Sequence, residues 1–313
     1  MLCQTRARPR GNAGLLGHAK KLGQRSSTTK PRAFARRPLG VVPLVSAVRA
    51  CLPRWAGVGP VPCIECTIAC LLLDFSRVAS VARVHVRAVT LDFGGTLDGQ
   101  EHWRERFWRL VRAAGLEPSW DDFAAAFGAA TRAAYAEDRL QRAGLDELVR
   151  YHFAAQLQAL GIPWTSTAET IAAKFASSVR NALALHKPLL EHWCHRVRLG
   201  VISNFYGNLP RILDEAGLTS VFTVVLDSNL VGVRKPAPEI FGLAVGALGV
   251  RADEVLHVGD SLVHDVRGAL AAGLQAAWLT RTADEEIAGA LPPGAVRIAE
   301  LRQLEAFLPC TPQ

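Results

Sequence analysis

An α/β fold, with a parallel sheet covered on both faces by helices, is what three features of this sequence predict. From Leu199 onward, short apolar runs at 199–203, 221–226, 255–258 and 275–279 read as strands, and helical stretches at 208–216, 237–248 and 264–272 separate them. That alternation belongs to a parallel sheet. A further apolar run, Val86 to Leu91, reads as a buried strand interrupted only by Arg87. Between it and Leu199 lie almost a hundred residues of helical pattern, which predicts an insertion between two strands.

The chain begins differently. Residues 1–80 hold 13 Lys+Arg against two acids, Glu65 and Asp74, whereas the other 233 residues hold 23 against 26. The net charge of +8 and the pI near 9.4 therefore belong to this leader. The remainder offers no basic excess for nucleic acid. Cys3, Cys51, Cys63, Cys66 and Cys70 also fall here, leaving Cys194 and Cys310. Two separated cysteines are no disulfide framework, and a reducing, cytoplasmic setting is expected. Structural zinc takes four ligands, and Cys63-x-x-Cys66-x-x-x-Cys70 has no convincing fourth nearby. The Arg-rich, acid-poor start resembles an organellar transit peptide, so import is the lesser expectation. Its Pro, Gly and Cys and its lack of amphipathic period fit a disordered leader better, or a reading frame over-extended from a start near Val81, Val84 or Val86. No run of about 18 uncharged apolar residues exists, so no membrane span is expected. The longest, Ile64 to Leu73, is broken by Glu65.

The helical insertion resolves into four segments. Trp103, Phe107, Leu110 and Val111 recur at helical spacing, and Gly115 is a natural stop. Ser119 with Asp122 opens a second helix carrying Phe123 and Phe127. Leu145 to Leu160 forms a third, closed by Gly161-Ile162-Pro163. Ser166-Thr167-Ala168-Glu169 reads as a capping box for a fourth, with Ile171, Phe175 and Val179 on one face. Aromatic residues at this spacing read as core rather than ligand contacts.

Strand 86–91 runs into Asp92-Phe93-Gly94-Gly95-Thr96-Leu97-Asp98. Two glycines let the backbone turn sharply and approach a ligand, although the segment alone reads equally as an Asx-type turn. Three later segments have the same form. Strand 199–203 ends in Ser203-Asn204, Lys235 precedes a helix start in Gly232-Val233-Arg234-Lys235-Pro236, and strand 255–258 ends in Gly259-Asp260-Ser261, with Asp265 five residues after Asp260. Ligands of open α/β sheets bind beyond the carboxyl ends of the strands, so these segments converge. Each alone has a plain reading as turn, cap, first-turn acid or solvated lysine; in this order, together, they do not.

The ordered set resembles the four motifs of the haloacid dehalogenase (HAD) superfamily, most of whose members are phosphatases. Ser203-Asn204-Phe205, Lys235-Pro236-Ala237-Pro238-Glu239-Ile240-Phe241 and His257-Val258-Gly259-Asp260-Ser261 look most like subfamily IA and its rhythmically-expressed-gene-2-like branch. The resemblance covers roughly residues 84 to 282. It implies a three-layer Rossmann-like core, 84–98 and 196–313, with a helical C1-type cap at 99–195. It also implies a magnesium-dependent phosphatase acting on a small phosphorylated metabolite through an aspartyl-phosphate at Asp92. Lys235 would neutralise charge, and Thr96, Ser203 and the Asn204 backbone would donate hydrogen bonds to the transferring oxygens. Mg2+ would be held by Asp92, the Gly94 carbonyl and Asp260, with Asp265 reaching it through water or orienting Lys235.

One departure matters. Most phosphatases of the superfamily carry a second aspartate where this chain has Gly94. That acid protonates the leaving alcohol, help worth about 10²–10⁴-fold, so alkyl phosphates should be slow and aryl or acyl phosphates less affected. Asp98 and His102 follow the motif and are the nearest alternatives in sequence; His264, beside Asp265, is the histidine expected nearest the site. His102, His152, His186, His192 and His195 lack metal-ligand spacing. Two other readings stand. A 2-haloacid dehalogenase also lacks the second aspartate, but its usual aromatic at the Gly94 place and its halide-binding cap residues have no match here. A non-catalytic phosphometabolite- or partner-binding protein would keep the fold without the chemistry. The oligomeric state is not encoded legibly.

Overall fold

The computed structural model describes residues 85–280 and 291–309; the basic leader and its cysteines lie outside them. Six strands, β1 (Ala88–Leu91), β2 (Arg198–Ser203), β3 (Val224–Asp227), β4 (Val255–Gly259), β5 (Gln275–Leu279) and β6 (Ala295–Ile298), form one sheet in the order β3-β2-β1-β4-β5-β6. Every neighbouring pair is parallel. Strands β1 and β4 are buried along their whole length, as central strands covered on both faces must be. From β1 the chain winds out through β2 and β3, then returns to the other side at β4. The strand order therefore reverses at β1, where an open α/β sheet forms its ligand crevice. Register places Leu91 opposite both Val201 and Val258, so the residues that follow leave the sheet at one level.

Four helices separate β1 from β2: α1 (Trp103–Ala113), α2 (Trp120–Tyr135), α3 (Leu145–Ala159) and α4 (Ser166–Trp193). Phe107, Phe123, Phe153 and Phe175 are fully buried, and the Phe107 ring stacks on Phe175 with centroids 3.9 Å apart. These aromatic residues are core, as their spacing predicts. The core of this helical block is continuous with one face of the sheet, through Val89, Leu91, Val201 and Val258. The other face packs Ala88, Ile202 and Val255 against Ile240, Phe241 and Leu248.

Ser119 caps α2 as read, accepting from the Asp122 N–H. The start of α4 is a correction: Thr165, not Ser166, is the cap and accepts from the Ala168 N–H. The expected box partner, Glu169, instead pairs with Arg150 at 3.0 Å. Three helices follow β2 and β3: α5 (Leu209–Glu215), α6 (Ser228–Val231) and α7 (Pro238–Leu248). The helix expected at 264–272 is present over 262–271, as a π-helical segment, Leu262–Arg267, running into one α-helical turn, α8 (Gly268–Ala271). Strand β6, absent from the sequence reading, has only four residues and is half-exposed, too short for a period-2 signal. No helix among the described residues is long and apolar enough to cross a membrane.

Candidate active site

Asp92 takes the first position beyond β1, and its N–H extends the ladder to the Val258 carbonyl at 2.8 Å. The chain then makes one wide turn, Phe93–Leu97, in which Gly94 and Gly95 depart from helical angles. Its two glycines are not equivalent. Gly95 has φ +78, and a Cβ there would lie 2.1 Å from Asp260 Oδ2, so only glycine fits. Gly94 has φ −72 and ψ 121, a conformation open to any residue, and a Cβ there would meet nothing within 4 Å.

The end of this turn is tied down. Asp98 Oδ1 accepts from the Gly95 N–H at 2.8 Å, and its other oxygen accepts from Trp103 Nε1 and pairs with Arg106 at 3.1 Å. Arg106 in turn donates to Ser178 on α4. Burial pushes the Asp98 carboxyl up against the pull of Arg106. Asp98 is fully buried and does not line the cavity over Asp92. It is therefore not the nearby acid that its position in sequence allowed; it anchors the turn to α1.

Lys235 is placed by its backbone. Asn204 Nδ2 donates to the Lys235 carbonyl at 2.9 Å, and Asn204 Oδ1 accepts from the Lys235 N–H at 2.8 Å. The side chain is buried, with Nζ 2.7 Å from Asp92 Oδ1 and 2.6 Å from Asp265 Oδ1. By direction only the contact to Asp265 is an aligned hydrogen bond; the one to Asp92 is an ion pair. Both oxygens of Asp265 are engaged: Oδ2 accepts from the Ser261 N–H at 2.9 Å, and Oδ1 also accepts from His257 Nε2 at 3.2 Å. His257 Nδ1 accepts from the Thr90 hydroxyl at 2.9 Å, so the neutral ring carries its proton on Nε2.

These contacts set the charge states. Burial opposes ionisation of Asp265, but Lys235 and the His257 bond outweigh it and hold the carboxyl well below its usual range. Burial would lower Lys235, yet Asp265 and Asp92 keep its pKa raised. Asp92 is raised by burial, with Asp265 adding to it and Lys235 offsetting part. Asp260 is raised furthest, by burial and then by repulsion from Asp92 and Asp265. Oxygens of Asp92, Asp260 and Asp265 all lie within 4.8 Å of one another. Three hard oxygen donors that close, with one carboxylate repelled into a high pKa, fit a divalent cation such as Mg2+.

A cavity of about 230 Å³ opens over this cluster, and Gly94, Ser203, Asn204 and Lys235 line it with the three aspartates. Thr96 is different: it is fully buried off the cavity wall, and its Oγ1 has no hydrogen-bond partner among the described residues. His264 lines the cavity as expected, and so does His102, the N-cap of α1. Sequence reasoning missed Thr131 and Tyr135 on α2 and Arg234 beside Lys235. The helical period of α2 gave its apolar face, but not which edge of that face would look at Asp92. A larger cavity of about 420 Å³, between α3, α4 and α5, lies away from the aspartates. Its charged residues are paired, Arg180 with Asp146, Lys187 with Glu191 and Glu215 with Arg211.

Comparison with known proteins covers the stretch of chain that carries this site. The haloacid dehalogenase-like hydrolase family matches residues 86–273. Phosphoserine phosphatase of Thermus thermophilus is 39% identical over 107 residues, which are 34% of this chain and 42% of that protein. Pyrimidine 5'-nucleotidase YjjG of Escherichia coli is 34% identical over 113 residues, 36% of this chain and 49% of that protein. The chain thus spans less than half the length of either relative. Among solved structures, an L-2-haloacid dehalogenase is 22% identical, with a TM-score of 0.49, over 72% of this chain and 99% of that one. The family match runs from β1 to just past α8, more than half of the sequence, and on that ground the chain belongs to the haloacid dehalogenase-like hydrolases.

Proposed function

We propose that this protein is a magnesium-dependent phosphatase of a small phosphorylated metabolite, with Asp92 as nucleophile. The observation that supports it most is the pairing of Asp92 with a buried lysine on one side and a second, repelled carboxylate, Asp260, on the other. Asp92, Asp260 and the Gly94 carbonyl would hold Mg2+, which when bound supplies positive charge against the phosphoryl group. With both its oxygens engaged, Asp265 has the role of orienting Lys235.

In this reading an Asp92 oxygen attacks phosphorus and the bond to the leaving oxygen breaks, which splits one hard step into two. The leaving group departs with a proton drawn from solvent or from a cavity donor. Water then attacks the phosphorus of the aspartyl-phosphate, releasing inorganic phosphate and restoring the carboxylate. Lys235 offsets the negative charge brought together here, and Ser203 and the Asn204 backbone offer donors to the phosphoryl oxygens, stabilisation that is mainly electrostatic. Helices α1–α4 would act as a cap, with His102, Thr131 and Tyr135 facing the substrate. The names of the two relatives, a phosphatase and a 5'-nucleotidase, are in keeping with this activity. Metal-free displacement of halide suits the site less well, because Lys235 offsets only part of the repulsion between Asp92 and Asp260.

The test is Asp92→Asn together with metal removal. Turnover of aryl phosphates should fall at least tenfold in the variant, with its circular dichroism unchanged, and EDTA should stop the wild type until magnesium is restored. Full activity in EDTA would move the assignment to halide displacement, and an active variant would remove Asp92 from the nucleophile role.

A further inference from the structure

The charge around the cavity is divided. Its only acids are Asp92, Asp260 and Asp265 on the floor. None of the other residues that line it, Arg234, Tyr135, Thr131, His102 and His264 among them, can carry negative charge at neutral pH. Arg234 has no ion-pair partner among the described residues. Its guanidinium carbon lies 5.1 Å over the Tyr135 ring, and Nη2 donates to the Tyr135 hydroxyl at 3.5 Å. Held over an aromatic face, the planar fork keeps most of its five N–H donors unspent. The neighbouring Lys235 has its charge matched by Asp92 and Asp265. Arg234, by contrast, meets no carboxylate among the described residues and is left to meet a ligand.

From this we infer that Arg234 selects the substrate's tail: the preferred substrates are phosphate monoesters that also carry a carboxylate, and aminoalkyl phosphates are disfavoured. This rests on the phosphatase reading of the same cavity and adds a substrate class to it. Arginine meets a carboxylate through two parallel N–H···O bonds, and a tail ammonium would find only cations and neutral groups at this height. The phosphoryl end would lie on the floor beside Lys235, and the carboxylate at Arg234.

Binding tests the inference without turnover. Full-length wild-type protein is titrated calorimetrically, with Mg2+, against the non-hydrolysable phosphonate forms of 3-phosphoglycerate, glycerol 3-phosphate and 3-aminopropyl phosphate, three ligands differing in the tail. The carboxylate should bind about tenfold more tightly than the neutral ligand, near the low end of a charge-assisted hydrogen bond, and the amine most weakly. Arg234→Gln, at an exposed position where folding is not at stake, should abolish the carboxylate's advantage and leave the neutral ligand unchanged. Arg234→Lys should keep part of it. Equal affinities, an advantage that survives Arg234→Gln, equal weakening of all three ligands, or no binding to the folded protein would each overturn the inference. Phosphate release by the wild type is read separately. Release without tail preference leaves the phosphatase standing and sinks the selection by Arg234; tail-selective binding without release does the reverse.

Discussion

At Gly94 a whole carboxylate is missing from a place where the backbone could hold one. The φ of −72 and ψ of 121 suit an aspartate, and the space beyond Cα is open. The absence therefore reflects no local steric demand, in contrast to Gly95, whose missing Cβ makes room for Asp260. Both glycines look alike in the sequence; only the backbone angles separate them. Gly94→Asp should fold normally and raise alkyl phosphate turnover by about 10²-fold, the lower end of general acid help. It should do less for aryl phosphates, whose leaving groups need little protonation. A leaving-group series on both proteins checks this, and a slope unchanged by the substitution would mean that another cavity donor already supplies the proton. Asp92 and Asp260 were legible because each follows a short apolar strand at a residue type rarely placed there, and Lys235 because it stands just before a helix start. Tyr135 and Arg234 were not, since one sits on a helix whose period shows only its apolar face and the other beside a lysine that already explained the segment.

Elements were legible where a period or a stop residue marked them. Strands β1, β2, β4 and β5 come from apolar runs of the right length, α1 from aromatic spacing closed by Gly115, α2 from the Ser119 start, and α3 from the stop at Gly161-Ile162-Pro163. The start of α4 was read one residue late because Ser166 and Glu169 match a capping box in spelling, while Thr165 holds the extended backbone that a cap needs. Thr165→Ala should cost about 1 kcal/mol, the usual worth of a cap side chain. Ser166→Ala, already inside the helix, should cost no more than about 0.5 kcal/mol. Urea unfolding of the two variants checks the assignment, and the opposite ranking would return the cap to Ser166. The helix read at 264–272 is there, but its first part is wound as a π-helix, which the spacing does not distinguish, and it carries Asp265 to Lys235.

Across the whole molecule, stability is linked to pH through His152, a fully buried ring in the helical block. Gln156 Nε2 donates to its Nδ1 at 2.8 Å, and its Nε2 lies 3.1 Å from the Thr131 hydroxyl. Burial lowers its pKa to about 3 from an ordinary 6.5. A depressed folded value means stability that is fully present above pH 6.5 and lost as pH falls, because the unfolded chain takes up a proton that the folded one refuses. One pH unit below 6.5 this loss is about 1.4 kcal/mol. His152→Gln should be less stable at neutral pH, yet lose less between pH 7 and pH 5 than the wild type; parallel losses would show that His152 does not carry the linkage. The overall architecture was readable because alternating apolar runs fix a parallel sheet, and strand order then places the crevice. The cap's contribution to the cavity depends on how helices rotate against one another, which no local pattern encodes.

The account turns on Asp92 forming a bond to phosphorus. Wild-type protein mixed with an aryl phosphate and Mg2+, then quenched in acid within one turnover, should carry phosphate on the peptide containing Asp92. That label should be missing from Asp92→Asn protein and from wild type in EDTA. Turnover in the wild type with no label on that peptide, or a label that persists in Asp92→Asn, would contradict it.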